Sequence, residues 1–391
     1  MLRFSGFDDE WVSYKIGDIS KTYSGGTPST SKREYYKGNI PFIKSGEIGN
    51  EVTEQYINEE AINNSSAKKV QKGDLLLALY GATSGEVAIS KIDGAINQAV
   101  LKIDNKMNNY FQYNYFVKYK DQIIHKYLQG GQGNLSANII KKLEFYYPNL
   151  EEQQKISNYL LLIDNKIELL EKKHHEYQNF KKYLMQQIFT QKLRFDFKDT
   201  WDKVLLKDVA FIPKKTKLTN VEGLKLLTVK LHTKGIEIND RIKPKLTKRG
   251  RPYYIRRSGE LLIGRQNFHN GGMGIVPKSL DGGICSNAIS SFNVFEDKID
   301  VNYLYYFLAR PEYYIKSERL IGGTGQKEFS EKELLKLKID LPSLEEQNKI
   351  VDFLLNIDHK IELSENQLNK TQEFKKGLLQ QMFDNMLLFK L

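Results

Sequence analysis

Cysteine is almost missing from this chain: Cys285 is the only one in 391 residues. That excludes a disulfide framework and makes a reducing cytoplasm the expected compartment. No uninterrupted apolar stretch reaches membrane-spanning length, and no signal peptide is read at the start, so a membrane partner is not expected. Chemistry-bearing patterns are missing as well. The run from Gly322 ends in Gln326-Lys327, where a nucleotide cradle would need Gly-Lys. No Asn-Pro-Pro-Tyr or Asp-Pro-Pro-Tyr run of amine methylation occurs, and no Cys/His cluster has metal-ligand spacing. His174 and His175 are neighbours on a helix, point apart, and read as a solvated pair. No catalytic residue, metal ligand or bound cofactor is therefore assigned, although a nuclease of scattered acids and lysines would leave no pattern to find.

What is present suits packed cores. Hydrophobic residues make up 40% and aromatics 12% of the chain, which argues against disorder, and the length suggests two to three domains. The dominant feature is a repeat. Residues 148–189 and 342–383 are one 42-residue segment written twice at a constant offset of 194, identical at 24 positions. Each copy opens with P-x-L-E-E-Q, from Pro148 and from Pro342, and closes with F-K-K-x-L-x-Q-Q-x-F, from Phe180 and from Phe374. A fainter echo, Leu2-Arg3-Phe4 then Trp11 against Leu193-Arg194-Phe195 then Trp201, marks where each unit starts. One job is done twice.

The repeated segment reads as a long helix. Ile156, Leu160, Ile163, Ile167, Leu170, Tyr177, Leu184 and Ile188 fall on steps of three, four or seven, a heptad seam. The second copy keeps it through Ile350, Leu354, Ile357, Ile361, Leu368, Leu378 and Met382, interrupted at Ser364, Thr371 and Lys375. Glu151-Glu152 and Glu345-Glu346 suit the positive end of the helix dipole. A helix from Glu151 to Phe189 would run roughly 60 Å at 1.5 Å per residue, and burying each seam residue would gain about 1.5–3 kcal/mol. Such a rod cannot bury its seam alone, and the natural partner is the other copy. Because identity extends to Lys166, Glu168 and Lys181, taken as exposed, two unrelated core helices are a poor account.

The intervening halves read as mixed strand and helix. Gly73-Asp74 leads into Leu75-Leu76-Leu77-Ala78-Leu79 and a turn from Gly81 to Gly85; Gly259-Glu260 leads into Leu261-Leu262-Ile263 and a turn from Gln266 to Gly274. Gly25-Gly26-Thr27-Pro28 has no counterpart in the second half. The net charge is +11, and residues 201–341 hold most of it, with 26 Lys and Arg against 16 Asp and Glu. Nine of these cations fall within residues 241–265, interleaved with Tyr253 and Tyr254, a density that suits phosphates and guanine edges. The bland reading of such a run is a solvated basic surface.

Two variable domains alternating with two near-identical heptad helices, each introduced by P-x-L-E-E-Q, resemble the DNA-specificity subunit of type I restriction-modification enzymes over essentially the whole chain. The fold expected is α+β: two mixed α/β recognition domains, at 1–147 and 193–341, alternate with two long helices, at 148–192 and 342–391. The helices would pack as an antiparallel coiled coil with pseudo-twofold symmetry. The resemblance implies a chain without catalysis whose two domains each read half of a split site in double-stranded DNA. It further implies that the helices space the domains and dock two modification subunits, which use S-adenosylmethionine, and that ATP- and Mg-dependent restriction subunits join that core. The residues expected at DNA are Tyr80, Thr83, Ser84, Gln132 and Asn134 in the first domain. In the second they are Arg249, Arg251, Arg256, Arg257, Arg265, Gln266, Asn267, Gln326 and Lys327. For the polar loop residues, turn stabilisation is the competing role. A non-catalytic coiled-coil adaptor with two basic domains is the alternative function, and a single-chain restriction enzyme would need the methylation and helicase motifs that are missing.

Overall fold

In a computed structural model, the structure describes residues 2–128, 134–247, 250–317, 328–384 and 386–388. The chain forms two compact units: residues 1–172 with 366–391, and residues 173–365.

Each unit is built on the same frame. In the first, a four-stranded antiparallel sheet runs in the order Ser20–Ser24, Val100–Asn105, Leu75–Ala78, Val87–Ile89; in the second the order is Ala210–Phe211, Ile289–Val294, Leu261–Gly264, Met273–Ile275. The central strands are the continuous apolar runs of the sequence. Leu75 to Ala78 are all buried, as are Leu261 to Gly264, as strands covered on both faces require. A second pairing closes each domain at its base: Val12–Lys15 runs antiparallel to Glu144–Tyr147, and Asp202–Leu205 to Lys338–Leu341. The first domain adds a sheet of Tyr56–Ile57, Ile40–Ile43, Gly94–Ile96 and Lys68–Val70. There Gly25 and Gly38 are packing devices, since a Cβ on either would fall 1.8 Å from the Ile96 carbonyl oxygen or 2.0 Å from that of Ile57.

The repeated segments are single helices, Leu150–Phe189 and Leu344–Met382. The second helix, expected over 342–391, ends at Met382, and Leu387–Leu388 instead form a short strand beside Glu144–Tyr147. The shared opening motif has a structural meaning. Gln153 donates to the Pro148 carbonyl and accepts from the Asn108 backbone N–H; Gln347 does the same with Pro342 and Asp300. Asn149 caps the first helix through the Glu152 N–H. The second glutamate of each motif is not a surface charge tuned to the dipole. Glu152 and Glu346 are buried, and each takes a two-pronged ion pair, from Arg3 at 2.7 Å and from Arg194 at 2.7 Å. The same guanidinium groups stand over Trp11 and Trp201. The faint Leu-Arg-Phe echo thus supplies the partner of the glutamate that the long repeat carries in both copies.

Of the three seam positions that break the apolar pattern, Ser364 and Lys375 make cross-helix polar contacts, while Thr371 donates to the Gln367 carbonyl of its own helix. In the first unit Lys375 meets Asp164 at 2.6 Å, and Gln372 meets Glu171. In the second Lys181 meets Asp358 at 2.5 Å, and His174 bonds Ser364 at 2.9 Å. Within each unit the numbering rises on one segment as it falls on the other. Lys181, taken as exposed from sequence, is turned in toward its acid. His174 is no solvated neighbour of His175 either: Ser364 gives its hydroxyl proton to the Ile361 carbonyl, so it accepts from His174 Nδ1. Tyr110 and Tyr306 complete the two ion-pair sites by donating to Asp164 and Asp358. The helix ends are plugged by aromatics: Phe383 sits among Trp11, Phe111 and Tyr115, and Phe189 among Trp201, Tyr303 and Phe307.

Removing one partner of a buried pair leaves a charge stranded, at about 3–5 kcal/mol. Arg194→Ala is therefore expected to destabilise the second unit by about 3 kcal/mol, less than the upper figure because Trp201 Nε1 still donates to Glu346. Urea unfolding followed by Trp201 fluorescence, in a Trp11→Phe background, measures it; a shift below about 0.5 kcal/mol, the size of an ordinary surface change, would refute the structural role of the pair.

Candidate nucleic-acid interface

In the first domain, Tyr80, Thr83 and Ser84 occupy the turn joining Leu75–Ala78 to Val87–Ile89, whose centre is the short 3₁₀ helix Gly81–Thr83. Gly81 and Gly85 adopt positive φ, which a residue with a side chain would resist. Tyr80 is exposed and Thr83 half-buried, whereas Ser84 is buried and its hydroxyl donates to the Leu79 carbonyl at 2.9 Å. Ser84 therefore braces the turn that presents Tyr80. Asn134 is exposed and comes to the same edge because the next residue, Leu135, donates its N–H to the Leu79 carbonyl. Gln132 lies outside the described residues.

In the second domain the basic run divides by environment. Arg249, Gln326 and Lys327 lie outside the described residues. Arg241, Lys243, Lys245 and Arg251 are exposed, and among the described residues none of them forms an ion pair. Arg257 is exposed and 3.4 Å from Asp281, whose carboxyl is held below its usual range mainly by the Ser258 backbone N–H. Arg265 is half-buried and paired with Glu328, to which Gln266 also donates; Asn267 is exposed beside them. Arg256 is different from its neighbour in kind. It is 4% exposed, lies against the Tyr254 ring, and donates through Nη2 to the Ile289 carbonyl at 2.7 Å. Nearby, Lys215 and Glu260 form a buried pair. Burial depresses the Lys215 ammonium and raises the Cys285 thiol to about 11, so the single cysteine is a packed, protonated side chain and not a nucleophile. Among the described residues no group of three His, Cys, Asp or Glu side chains could hold a metal ion, and no helix is long and apolar enough to cross a membrane.

Sequence reasoning missed Lys215, Ser290, Ser291 and Glu331, which line a cavity with Arg256 and Arg265. No local pattern announces them, because they come from three separate parts of the chain.

The sequence profile described as the type I restriction modification DNA specificity domain matches residues 8–178 and again 198–373. The chain belongs to that family. The type I restriction enzyme MjaVIII specificity subunit of Methanocaldococcus jannaschii is 24% identical over 95% of this chain and 91% of its own length. The EcoR124I/EcoR124II specificity subunit of Escherichia coli is 27% identical over 46% of this chain and 49% of its own. Among solved structures, the S subunit of a type I restriction-modification system from M. genitalium superposes with a TM-score of 0.64 at 15% identity, covering 99% of each chain. A chain from a study of assembly and conformational transition of the type I R-M system gives 0.55 at 16% identity, covering 97% of this chain and 99% of that one; both likenesses speak to the fold. As a member of the specificity family the chain is a DNA-binding subunit without catalysis of its own.

A DNA-phosphate role for the exposed cations of the second domain is an expectation with a direct test. Arg251→Ala with Arg257→Ala should weaken duplex binding and lower the magnitude of the log-affinity against log-salt slope by about 0.9 for each phosphate no longer neutralised. Fluorescence anisotropy over a salt series reads this. A slope equal to that of the unaltered protein would make these arginines plain solvated surface.

Proposed function

We propose that the two domains read the two halves of a bipartite DNA site, that the long helices form one antiparallel spacer between the readers, and that the helices dock two modification subunits. The observation that carries this is repetition of the frame without repetition of the loops. Sheet order, the Arg–Glu pair, the Asp–Lys–Tyr cluster and the glutamine brace recur in both units. The turns that present polar side chains differ, Tyr80-Gly-Ala-Thr-Ser in one and Arg265-Gln-Asn-Phe-His in the other. A scaffold kept constant under unlike loops suits two specificities, since scaffolds position and loops select bases.

The helix surfaces support the docking part. Leu161 and Leu169 are exposed, and so are Leu355 and Leu363, their counterparts at the offset of 194; Phe180 and Phe374 form a third such pair. Exposed large apolar side chains repeated in register are what two copies of one partner would cover. The modification subunits would bring S-adenosylmethionine and the restriction subunits ATP and Mg, with this chain working in the cytoplasm and binding no cofactor itself.

Replacing residues 201–341 by the matching domain of a relative should change one half of the methylated motif and leave the other intact, as read by methylation sequencing of a host carrying the complete system. A change in both halves would show joint reading and end the two-reader proposal. For docking, Leu169→Asp or Leu363→Asp alone should each reduce the complex from two modification subunits to one, and the double variant should bind none. Sedimentation of the mixed subunits decides; two bound subunits in the double variant would remove these faces from the interface.

A further inference from the structure

The registers of the two four-stranded sheets allow the domains to be compared position by position. Leu75 faces Ile103 in the first, and Leu261 faces Phe292 in the second. On that correspondence Ser291 stands where the first domain has Lys102. Arg265 stands where it has Leu79, and both of these donate a backbone N–H to the matching alanine carbonyl, of Ala288 and of Ala99. Lys102 fills its own site: its ammonium lies 2.6 Å from Asp74 and over the Tyr23 ring. Ser291 cannot reach so far, and in the second domain Glu260, at the place of Asp74, takes its ammonium from Lys215 instead. The second domain is left with a cavity of about 310 Å³ whose walls include Arg256, Arg265, Ser290, Ser291, Tyr254 and Glu331.

The polar atoms of that cavity are unevenly used. Ser290 donates to Glu331 at 2.9 Å, and Arg256 Nη2 to the Ile289 carbonyl. Arg256 Nε, Arg265 Nε and Ser291 Oγ are buried and bonded to nothing in the protein. Arg256 and Ser291 are 4% and 3% exposed, so bulk water does not serve them. All three atoms can donate, and neither guanidinium can lose its proton. Arg265 has Glu328 and Lys215 has Glu260, while among the described residues Arg256 has no ion-pair partner. Buried donors left unmade are costly, and guanidinium groups with a hydroxyl are matched best by a compact ligand carrying several acceptor oxygens and negative charge.

We propose that this cavity, in the domain where Ser291 stands at the place of Lys102, binds one oxyanion of the phosphate class. Either a DNA backbone phosphate or a free phosphate group would supply that chemistry. The test needs no DNA, so its failure leaves the reading of DNA by this domain untouched. Inorganic phosphate is titrated into the full chain, with ³¹P line broadening and calorimetry as readouts. One saturable site is expected, at least tenfold weaker in Arg256→Gln and abolished in Ser291→Lys, which fills the cavity with the side chain and charge that the first domain uses. Unfolding midpoints check that the variants are folded; Ser291→Lys keeps the test valid if breaking the hydrogen bond to Ile289 unfolds Arg256→Gln. Absence of saturable binding by the unaltered protein, or equal binding by both folded variants, would overturn the proposal and leave water as the occupant. DNA affinity in phosphate against chloride at matched ionic strength then names the source: competition identifies the backbone phosphate, and no competition a free oxyanion.

Discussion

A forty-residue amphipathic helix cannot bury its own seam, and the rest of this structure depends on that constraint. Leu150–Phe189 and Leu344–Met382 are long enough to form, yet in water most helix stability comes from packing an apolar stripe against something. Each unit supplies a stretch of the other helix as that something, and a globular domain closes over the result. In the first unit Ile156, Leu160 and Ile163 share one core with Leu378 and Met382; in the second Leu184 and Ile188 share one with Ile350, Leu354 and Ile357. Domain core and helix seam are therefore one hydrophobic cluster in each unit.

Apolar burial has no direction, so it would tolerate sliding. Register is held by the polar groups that interrupt the seam. Lys375 with Asp164 and Lys181 with Asp358 are the same contact made twice at repeat-related positions, and each acid also receives a tyrosine hydroxyl from its domain. A half-buried charge that finds its partner at only one offset disfavours every other offset, the use of buried polar groups best supported in coiled coils. The Arg–Glu pairs at Glu152 and Glu346 do the same for the entry segments. They tie the chain before each domain to the helix after it.

Much of this was legible before any coordinates. The long helices, the mixed character of the domains and the buried strands at Leu75 and Leu261 follow from spacing and apolar runs, whereas the stop of the second helix at Met382, inside the expected 342–391, does not. The roles of charged residues did not follow. Arg256 and Arg257 are adjacent and chemically identical, yet one is inside and the other outside, because successive side chains leaving an extended strand point to opposite faces. Lys181 and Lys375 looked like exposed or interrupting residues because their acids lie 177 and 211 positions away in the chain.

The sequence by itself determined that the protein is one plan written twice, since a 194-residue offset with 24 identities needs no geometry to be seen. It also determined the family, because the P-x-L-E-E-Q openings and heptads carry that resemblance along the chain. Tertiary structure alone decided which polar residues face which. The meeting of Arg256, Arg265 and Ser291 at one cavity depends on sheet register, and register is set by long-range pairing between strands that no local window contains.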